Sequence, residues 1–341
     1  MPNPALSTYY GILDDDESAK YLRTKEHIVG ADLADKEDEL WSIHDSALLE
    51  KRQPGEGVSL LDLKIELAHR VLDSCILCER RCGTERSAGK KGHCGVIEPR
   101  ISSEFIHMGE EPDLVPSYTI FFCGCTFECV FCQNWDISTK PTSGNQLSAD
   151  TVAQLIEEKV ENEYPNSRER RATRFVRNVN WVGGDPTSNL PFILEVLRRC
   201  KANIPQVWNS NMYLSEESMS LLNGVIDVYL TDFKYGNDKC ASRLSNAPKY
   251  IEIVKRNHKL ARAQAEMIIR HLVLPGHVEC CSRPILEWIS ENLRDVKVNV
   301  MAQYRPEHRA REFLEISRPL TASDYQKAFR IATDLGLDLC D

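Results

Sequence analysis

The stretch Phe121-Phe122-Cys123-Gly124-Cys125-Thr126-Phe127-Glu128-Cys129-Val130-Phe131-Cys132-Gln133-Asn134 decides how the rest of the chain is read. It emerges from an apolar run, Tyr118 to Phe122, which predicts a buried strand. Directly after it, Cys125, Cys129 and Cys132 stand at a C-x3-C-x2-C spacing. Three thiolates on a tight loop can hold three corners of a [4Fe–4S] cube and leave the fourth iron without a protein ligand. A small molecule can bind and react at such an open corner. The alternatives are a zinc site or unrelated buried cysteines, since free Cys is commonly buried. Structural zinc usually takes paired C-x2-C elements and four ligands, which an x3-then-x2 triple matches poorly.

Outward from that loop, strand-like and helix-like segments alternate. Strand candidates lie at 117–123, 175–183, 206–210, 225–233, 267–274 and 296–303. Helices lie between them at 148–162, 189–201, 215–223, 247–264 and 281–293, with a last one at 321–335. Ser148, Ser215 before Glu216-Glu217, and Thr321 with Asp324 three residues on mark helix starts. Gly336 closes the last helix. Six βα repeats predict an α/β fold with a parallel sheet and helices outside it. They are too few for an eight-stranded closed barrel. A partial barrel and an open doubly wound sheet give the same pattern.

Ligands of parallel α/β folds bind at the C-terminal ends of the strands, and the polar residues cluster at those ends. Strand two ends in Gly183-Gly184-Asp185-Pro186-Thr187 and strand three in Asn209-Ser210-Asn211-Met212. Strand four ends in Asp232-Phe233-Lys234, strand five in Pro275-Gly276-His277, and strand six in Gln303-Tyr304-Arg305-Pro306. Any one of these reads as an ordinary turn. Their recurrence at consecutive strand ends is the signal.

Upstream, residues 1–58 form a polar, acidic, helical extension in which Trp41, Ile43 and Leu48-Leu49 predict a docked helix and no chemistry is visible. Gln53-Pro54-Gly55-Glu56-Gly57 is a break. Residues 59–116 hold a helix, with Leu60, Leu63, Leu67 and Val71 on one face, and then a module in which Cys75, Cys78, Cys82 and Cys94 form C-x2-C-x3-C-x11-C. Four ligands suit a closed zinc or a second iron–sulfur cluster. Of the other cysteines, adjacent Cys280 and Cys281 are expected to diverge, with packing the role of at least one. Cys200, Cys240 and Cys340 look isolated, and His277 reads as a hydrogen-bonded loop residue that could also be functional. Arg168, Arg170, Arg171, Arg174 and Arg177 read as a solvated loop or a docking patch for an acidic protein or RNA.

A length of 341 residues with 42% hydrophobic and 27% charged residues is globular and long enough to bury a core. A net charge of −9 argues against broad binding to nucleic acid or anionic membrane. No signal peptide or apolar run of about 18 residues is found, which leads to the expectation of a soluble cytoplasmic protein. Thirteen cysteines in such a chain point to metal or redox chemistry rather than disulfides.

C-x3-C-x-Phe-C at the end of a first strand, with Phe131 before the last cysteine, resembles the signature of the radical S-adenosylmethionine (SAM) enzymes. The resemblance implies a partial (β/α)6 TIM-like barrel over residues 117–341 with an N-terminal helical and cysteine-rich extension. It also implies a [4Fe–4S] cluster on Cys125, Cys129 and Cys132, whose open iron chelates SAM and whose electron cleaves it to a 5′-deoxyadenosyl radical. Gly183-Gly184-Asp185-Pro186 resembles the family's Gly-Gly-Glu-Pro motif, which binds the SAM amino group largely through backbone; Asp185 stands where the family usually has Glu. Asn209-Ser210 and Asp232-x-Lys234 resemble positions lining the SAM site in activating enzymes of glycyl radical enzymes. A lysine at 234 could reach the SAM carboxylate or ribose, or be a solvated surface residue.

Cys75-x2-Cys78-x3-Cys82, Gly109-Glu110-Glu111-Pro112, Asn209-Ser210-Asn211-Met212-Tyr213, Asp232-Phe233-Lys234-Tyr235, Leu274-Pro275-Gly276-His277 and Gln303-Tyr304-Arg305-Pro306 are similar to the PflX-type proteins, homologues of pyruvate formate-lyase activating enzyme. Gln303 joins the expected SAM site on this ground. Cys123 stands where that group often has Ser and is read as a strand residue. The resemblance implies a reducing partner such as ferredoxin or flavodoxin and a protein substrate, one candidate being a glycyl radical enzyme. The rival readings are a radical enzyme acting on RNA or a metabolite, and a two-cluster electron-transfer protein without SAM chemistry.

Overall fold

The computed structural model describes residues 4–161 and 176–340. Arg168, Arg170, Arg171 and Arg174 of the basic run lie outside the described residues; Arg177 stacks on the Tyr10 ring at 5.5 Å. Four helices precede the sheet: α1 (Ser7–Leu13), α2 (Lys20–Glu26), α3 (Glu37–Ala47) and α4 (Leu60–Arg70). Ser59 caps α4 in a reciprocal box with Asp62.

One sheet then runs in the order β1 (Ile101–His107), β2 (Ser117–Phe122), β3 (Asn178–Gly183), β4 (Gln206–Ser210), β5 (Val228–Asp232), β6 (Glu266–Leu272), β7 (Lys297–Met301) and β8 (Asp338–Leu339). β1 is antiparallel to β2, and every later pairing is parallel. Edges β1 and β8 do not pair with each other, so the barrel stays open. Helices α5 (Trp135–Ser138), α6 (Ala149–Glu161), α7 (Leu190–Arg199), α8 (Glu216–Leu222), α9 (Asp238–Ser245), α10 (Tyr250–Gln264), α11 (Arg283–Asn292) and α12 (Ala322–Asp334) connect the strands.

The parallel α/β sheet expected from the repeats is present, as the partial barrel that the resemblance implies, with β1 and β8 as additions the pattern did not show. The helix expected at 247–264 is α10, and α9 before it is a helix the pattern did not show. Asn246 takes a left-handed conformation (φ 49) that ends α9, and α10 begins four residues beyond it. Strand residues alternate between two environments. Trp181, Trp208, Tyr229 and Ile269 pack in the large core shared with the helices, whereas Val207, Val228, Leu230 and Ile268 form a second cluster with Leu6, Tyr9 and Leu114.

That second cluster explains the N-terminal extension. Leu6 and Tyr9 are fully buried against β4, β5 and β6. Glu266, at the start of β6, accepts the N–H groups of Thr8 (2.7 Å) and Tyr9 (2.8 Å), capping α1 with a carboxylate. Tyr9 Oη accepts from Asn178 Nδ2 at 3.0 Å. Residues 6–9 therefore fill the N-terminal mouth of the barrel.

Candidate active site

The loop after β2 is pinned from both sides. The N–H groups of Glu128 and Val130 donate to the carbonyls of Ser245 (3.1 Å) and Leu244 (2.9 Å) at the end of α9. Asp185 N–H donates to the Gly124 carbonyl at 3.0 Å, joining the loop to the end of β3. Only glycine permits that second approach: a Cβ on Gly184 would lie 2.0 Å from the Gly124 oxygen, and one on Gly183 (φ +133) 2.1 Å from the Phe122 oxygen.

A single cleft at the C-terminal ends of the strands is lined by Cys125, Cys129 and Cys132 together with Gly183, Gly184, Asp185, Asn209, Ser210, Asp232, Lys234 and Gln303. All residues expected at the cluster and SAM sites are thus brought together. Phe127, Phe131, Leu272 and Met301 supply its apolar wall. A hollow between α11 and α12, lined by Arg283, Lys327 and Arg330, contains none of these residues. Cys123 points elsewhere, with its thiol on the Ser143 carbonyl at 3.0 Å.

Hydrogen-bond donors converge on the loop sulfurs. Cys125 Sγ accepts from Phe127 N–H at 3.3 Å and from Asn211 Nδ2 at 3.8 Å. Cys129 Sγ accepts from Ser245 Oγ at 2.9 Å, and Cys132 Sγ lies 3.4 Å from Ser138 Oγ. Burial pushes the Cys125 thiol well above its ordinary value, and the Asp185 carboxylate adds to this. Burial pushes Cys129 up to about 12, with Lys234 pulling against it.

The strand-end side chains form two networks. Asp185 accepts from Thr187 N–H, Ser210 Oγ and Asn211 N–H, each at 3.0 Å. It therefore positions the end of β4 rather than facing a ligand with a free carboxylate. Lys234 is not a solvated surface residue: its side chain is 19% exposed and it pairs with Asp232. Arg270 binds the same Asp232 at 3.1 Å, Asn209 Oδ1 at 2.5 Å and Glu110 Oε2 at 3.3 Å. Burial works to raise the Asp232 carboxyl, yet Lys234 and Arg270 outweigh it and hold the group below its ordinary value.

Arg270 was missed in the sequence. The available signal was an arginine inside an apolar strand, in register with Asp232 on the neighbouring strand. Glu110, quoted above only as part of a motif, is the second carboxylate on Arg270 and also accepts from Asn180 Nδ2 at 3.0 Å.

Cys75, Cys78, Cys82 and Cys94 lie in one loop-rich module. Burial raises the Cys78 thiol, and Cys94, Cys75 and Cys82 are near enough to raise it further. The module docks on the loop after β4, where Ser215 N–H donates to Leu77 O at 3.2 Å and Glu79 N–H to Tyr213 O at 3.1 Å. Arg80 Nε donates to Thr126 O in the cysteine loop at 3.1 Å. Buried Arg86 reaches Cys75 Sγ at 3.9 Å, and its Nε has no partner.

Two expectations are corrected. Cys240 is not isolated, and Cys280 and Cys281 do not diverge. Among the described residues, these three and His277 are the group whose ligand atoms all lie within 4.8 Å of one another. Neither the Cys125 loop nor the Cys75 module is gathered that closely. The turn that makes this arrangement is π-helical, Val278–Ser282, which no residue pattern announces.

Strand-end polar residues facing a three-thiol loop, on a partial parallel barrel, define a class of α/β enzyme scaffold with its site at the C-terminal rim. Residues 119–289 match the radical SAM superfamily, and the chain belongs to it. Membership implies radical chemistry with a [4Fe–4S] cluster and SAM. Uncharacterized protein MJ0674 of Methanocaldococcus jannaschii is 44% identical over 356 residues, covering 98% of each chain. A domain of pyruvate-formate lyase-activating enzyme from Bacteroides vulgatus is similar over 48% of this chain and 96% of its own, with 18% identity and a TM-score of 0.40. SuiB of Streptococcus suis, solved with S-adenosylmethionine bound, is similar over 63% of this chain and 47% of its own (14% identity, TM-score 0.47). Methylornithine synthase is similar over 94% of this chain and 85% of its own (13% identity, TM-score 0.43). Among the described residues no helix is long and apolar enough to cross a membrane.

Proposed function

We propose that Cys125, Cys129 and Cys132 hold the [4Fe–4S] cluster and that SAM lies along Gly183, Gly184, Asp185, Asn209, Ser210, Asp232, Lys234 and Gln303. The observation that carries this reading is that all these residues line one cleft. The donor set fits the group: N–H and O–H donors aim at the sulfurs, and such hydrogen bonds tune cluster thiolates. When bound, the cluster supplies the electron that cleaves SAM to methionine and a 5′-deoxyadenosyl radical. The chain's own residues bind, orient and exclude water. Lys234, held in place by Asp232, presents the positive charge that a carboxylate of SAM requires. Phe127, Phe131, Leu272 and Met301 form the apolar wall that keeps solvent from a radical.

The substrate reading is a protein, one candidate being a glycyl radical enzyme, with ferredoxin or flavodoxin as reductant; it rests on the motif resemblance. Cys75, Cys78, Cys82 and Cys94 hold a second [4Fe–4S] cluster. The unpartnered guanidinium nitrogen of Arg86 beside them suits an anionic group.

Anaerobic, reconstituted and reduced protein is expected to turn SAM into 5′-deoxyadenosine and methionine. Activity surviving in a variant with Ala at 125, 129 and 132 would discard the assignment. Two clusters predict about eight irons per chain. Serine at the four module positions should remove about four and leave the SAM-induced spectral shift. About four irons in fully reconstituted wild-type protein would remove the second cluster.

A further inference from the structure

Outside the cleft, Cys240, His277, Cys280 and Cys281 have the geometry of a mononuclear metal site. His277 Nδ1 lies 3.6 Å from Cys240 Sγ, 3.4 Å from Cys280 Sγ and 3.8 Å from Cys281 Sγ. The Cys280 and Cys281 sulfurs are 3.9 Å apart. Tetrahedral zinc, with Zn–S about 2.3 Å and Zn–N about 2.0–2.1 Å, places two sulfurs about 3.8 Å apart and sulfur about 3.5–3.6 Å from nitrogen. The observed spacings match those. They are too short for an iron–sulfur cube and too long for a disulfide, whose S–S bond is about 2.05 Å.

Each ligand is placed by backbone structure. Cys240 sits in the first turn of α9, where its N–H donates to the capping Asn237 Oδ1 at 2.9 Å. In the π-helical turn, Cys281 N–H (2.8 Å) and Ser282 N–H (3.3 Å) both donate to His277 O. That widened turn brings two consecutive cysteine sulfurs to one point. The loop after β5 reaches the turn only because residue 236 is glycine: a Cβ there would fall 2.7 Å from Cys280 O and 2.4 Å from Pro284 Cγ. Asn237 Nδ2 seals the contact by donating to Cys280 O at 2.8 Å.

We propose that Cys240, His277, Cys280 and Cys281 form a closed Cys3His site for one zinc(II) ion. Four protein ligands leave no open position, so the ion is structural. Binding takes the thiols as thiolates and releases their protons. Cys280 is exposed, which gives the ion a path in. The site ties the loop after β5 to the turn after β6. Tyr235 in that loop bonds Ser245, whose hydroxyl donates to Cys129 Sγ at 2.9 Å. The ion thereby braces the wall behind the cleft without entering it, and the proposal does not depend on what Cys125, Cys129 and Cys132 bind.

The test uses the full chain, reconstituted with iron, repleted with zinc in reducing buffer and desalted. Cys280→Ser is expected to lose about one zinc per chain and keep its iron, while Cys200→Ser keeps both. On the wild-type protein, zinc is expected to slow alkylation of Cys280 by about tenfold or more, and a chelator to restore it. Cobalt(II) in place of zinc is expected to give the visible bands of a tetrahedral thiolate-bound ion. Repleted wild-type protein without zinc, zinc content unchanged by Cys280→Ser, or Cys280 alkylation indifferent to zinc would each overturn the proposal.

Discussion

The two ends of the barrel interior are built from the same strands and share almost no chemistry. At the N-terminal mouth, Val207, Val228 and Ile268 close over Leu6 and Tyr9. Two to four residues further along those strands, the same inward face presents Asn209, Asp232 and Arg270 to the cleft. Apolar burial at one end fixes the strands in place. Paired charge at the other end is costly to bury and persists only because each group has partners. Stability is concentrated below and reactivity above, separated by two to four residues of rise, roughly 7–13 Å.

The sharpest way to break this division is at the top. Cys125→Ala is expected to abolish 5′-deoxyadenosine formation while leaving the urea unfolding midpoint of the apoprotein near that of wild type. A large fall in the midpoint would show that the loop also carries the fold. At the bottom, Leu6→Ala should destabilise the protein by about 2–5 kcal/mol, because Leu6 is fully buried in a close-packed cluster. Calorimetry of SAM binding to the folded variant should show unchanged affinity. Lys234→Ala tests the top again, more gently. Loss of one charge-assisted hydrogen bond is worth about 1.5–3 kcal/mol, a roughly 10- to 150-fold weaker SAM affinity, with the cluster spectrum intact. Unchanged affinity would place Lys234 outside the binding site.

An effect read through pH rather than through a ligand concerns a charge buried where no ligand needs it. Lys64 is fully buried, 2.8 Å from His44 Nε2, and burial holds its pKa down to about 7. The unfolded chain keeps this proton up to about pH 10.4. Between pH 7 and 10 the unfolded state therefore binds more protons, so this residue's contribution to stability rises with pH in that window and is flat below it. Denaturant midpoints of wild type and Lys64→Met measured across pH 6–10 should converge as the pH rises. A constant difference would mean that Lys64 does not titrate in that range.

What the sequence made legible follows from the range of the interactions. The thiol loop, the Gly183-Gly184 turn and the strand-end polar residues are short segments, and parallel-sheet geometry brings such ends together wherever the connecting helices run. Their shared cleft could be expected from order along the chain alone. Arg270 was not legible because its meaning lies in Asp232 and Glu110, which reach it from another strand and a distant loop. The Cys240 cluster was hidden twice, by a 37-residue gap to His277 and by a π turn that reverses the usual divergence of adjacent side chains. Leu6 and Tyr9 were hidden because residues 1–58 as a whole are polar and acidic, and only Trp41, Ile43 and Leu48-Leu49 predicted docking.

The seating of α1 on Glu266 spans 258 residues from Thr8. During synthesis the segment that fills the mouth is made long before the strands that receive it. Its cap, its tyrosine partner on β3 and its apolar neighbours on β4, β5 and β6 all arrive later. Contacts of such sequence separation form late, because the chain between them must be ordered first. Residues 6–9 therefore cannot take their seat before β6 has been made, and until then the apolar mouth of the half-built barrel lies open to chaperones and to other chains.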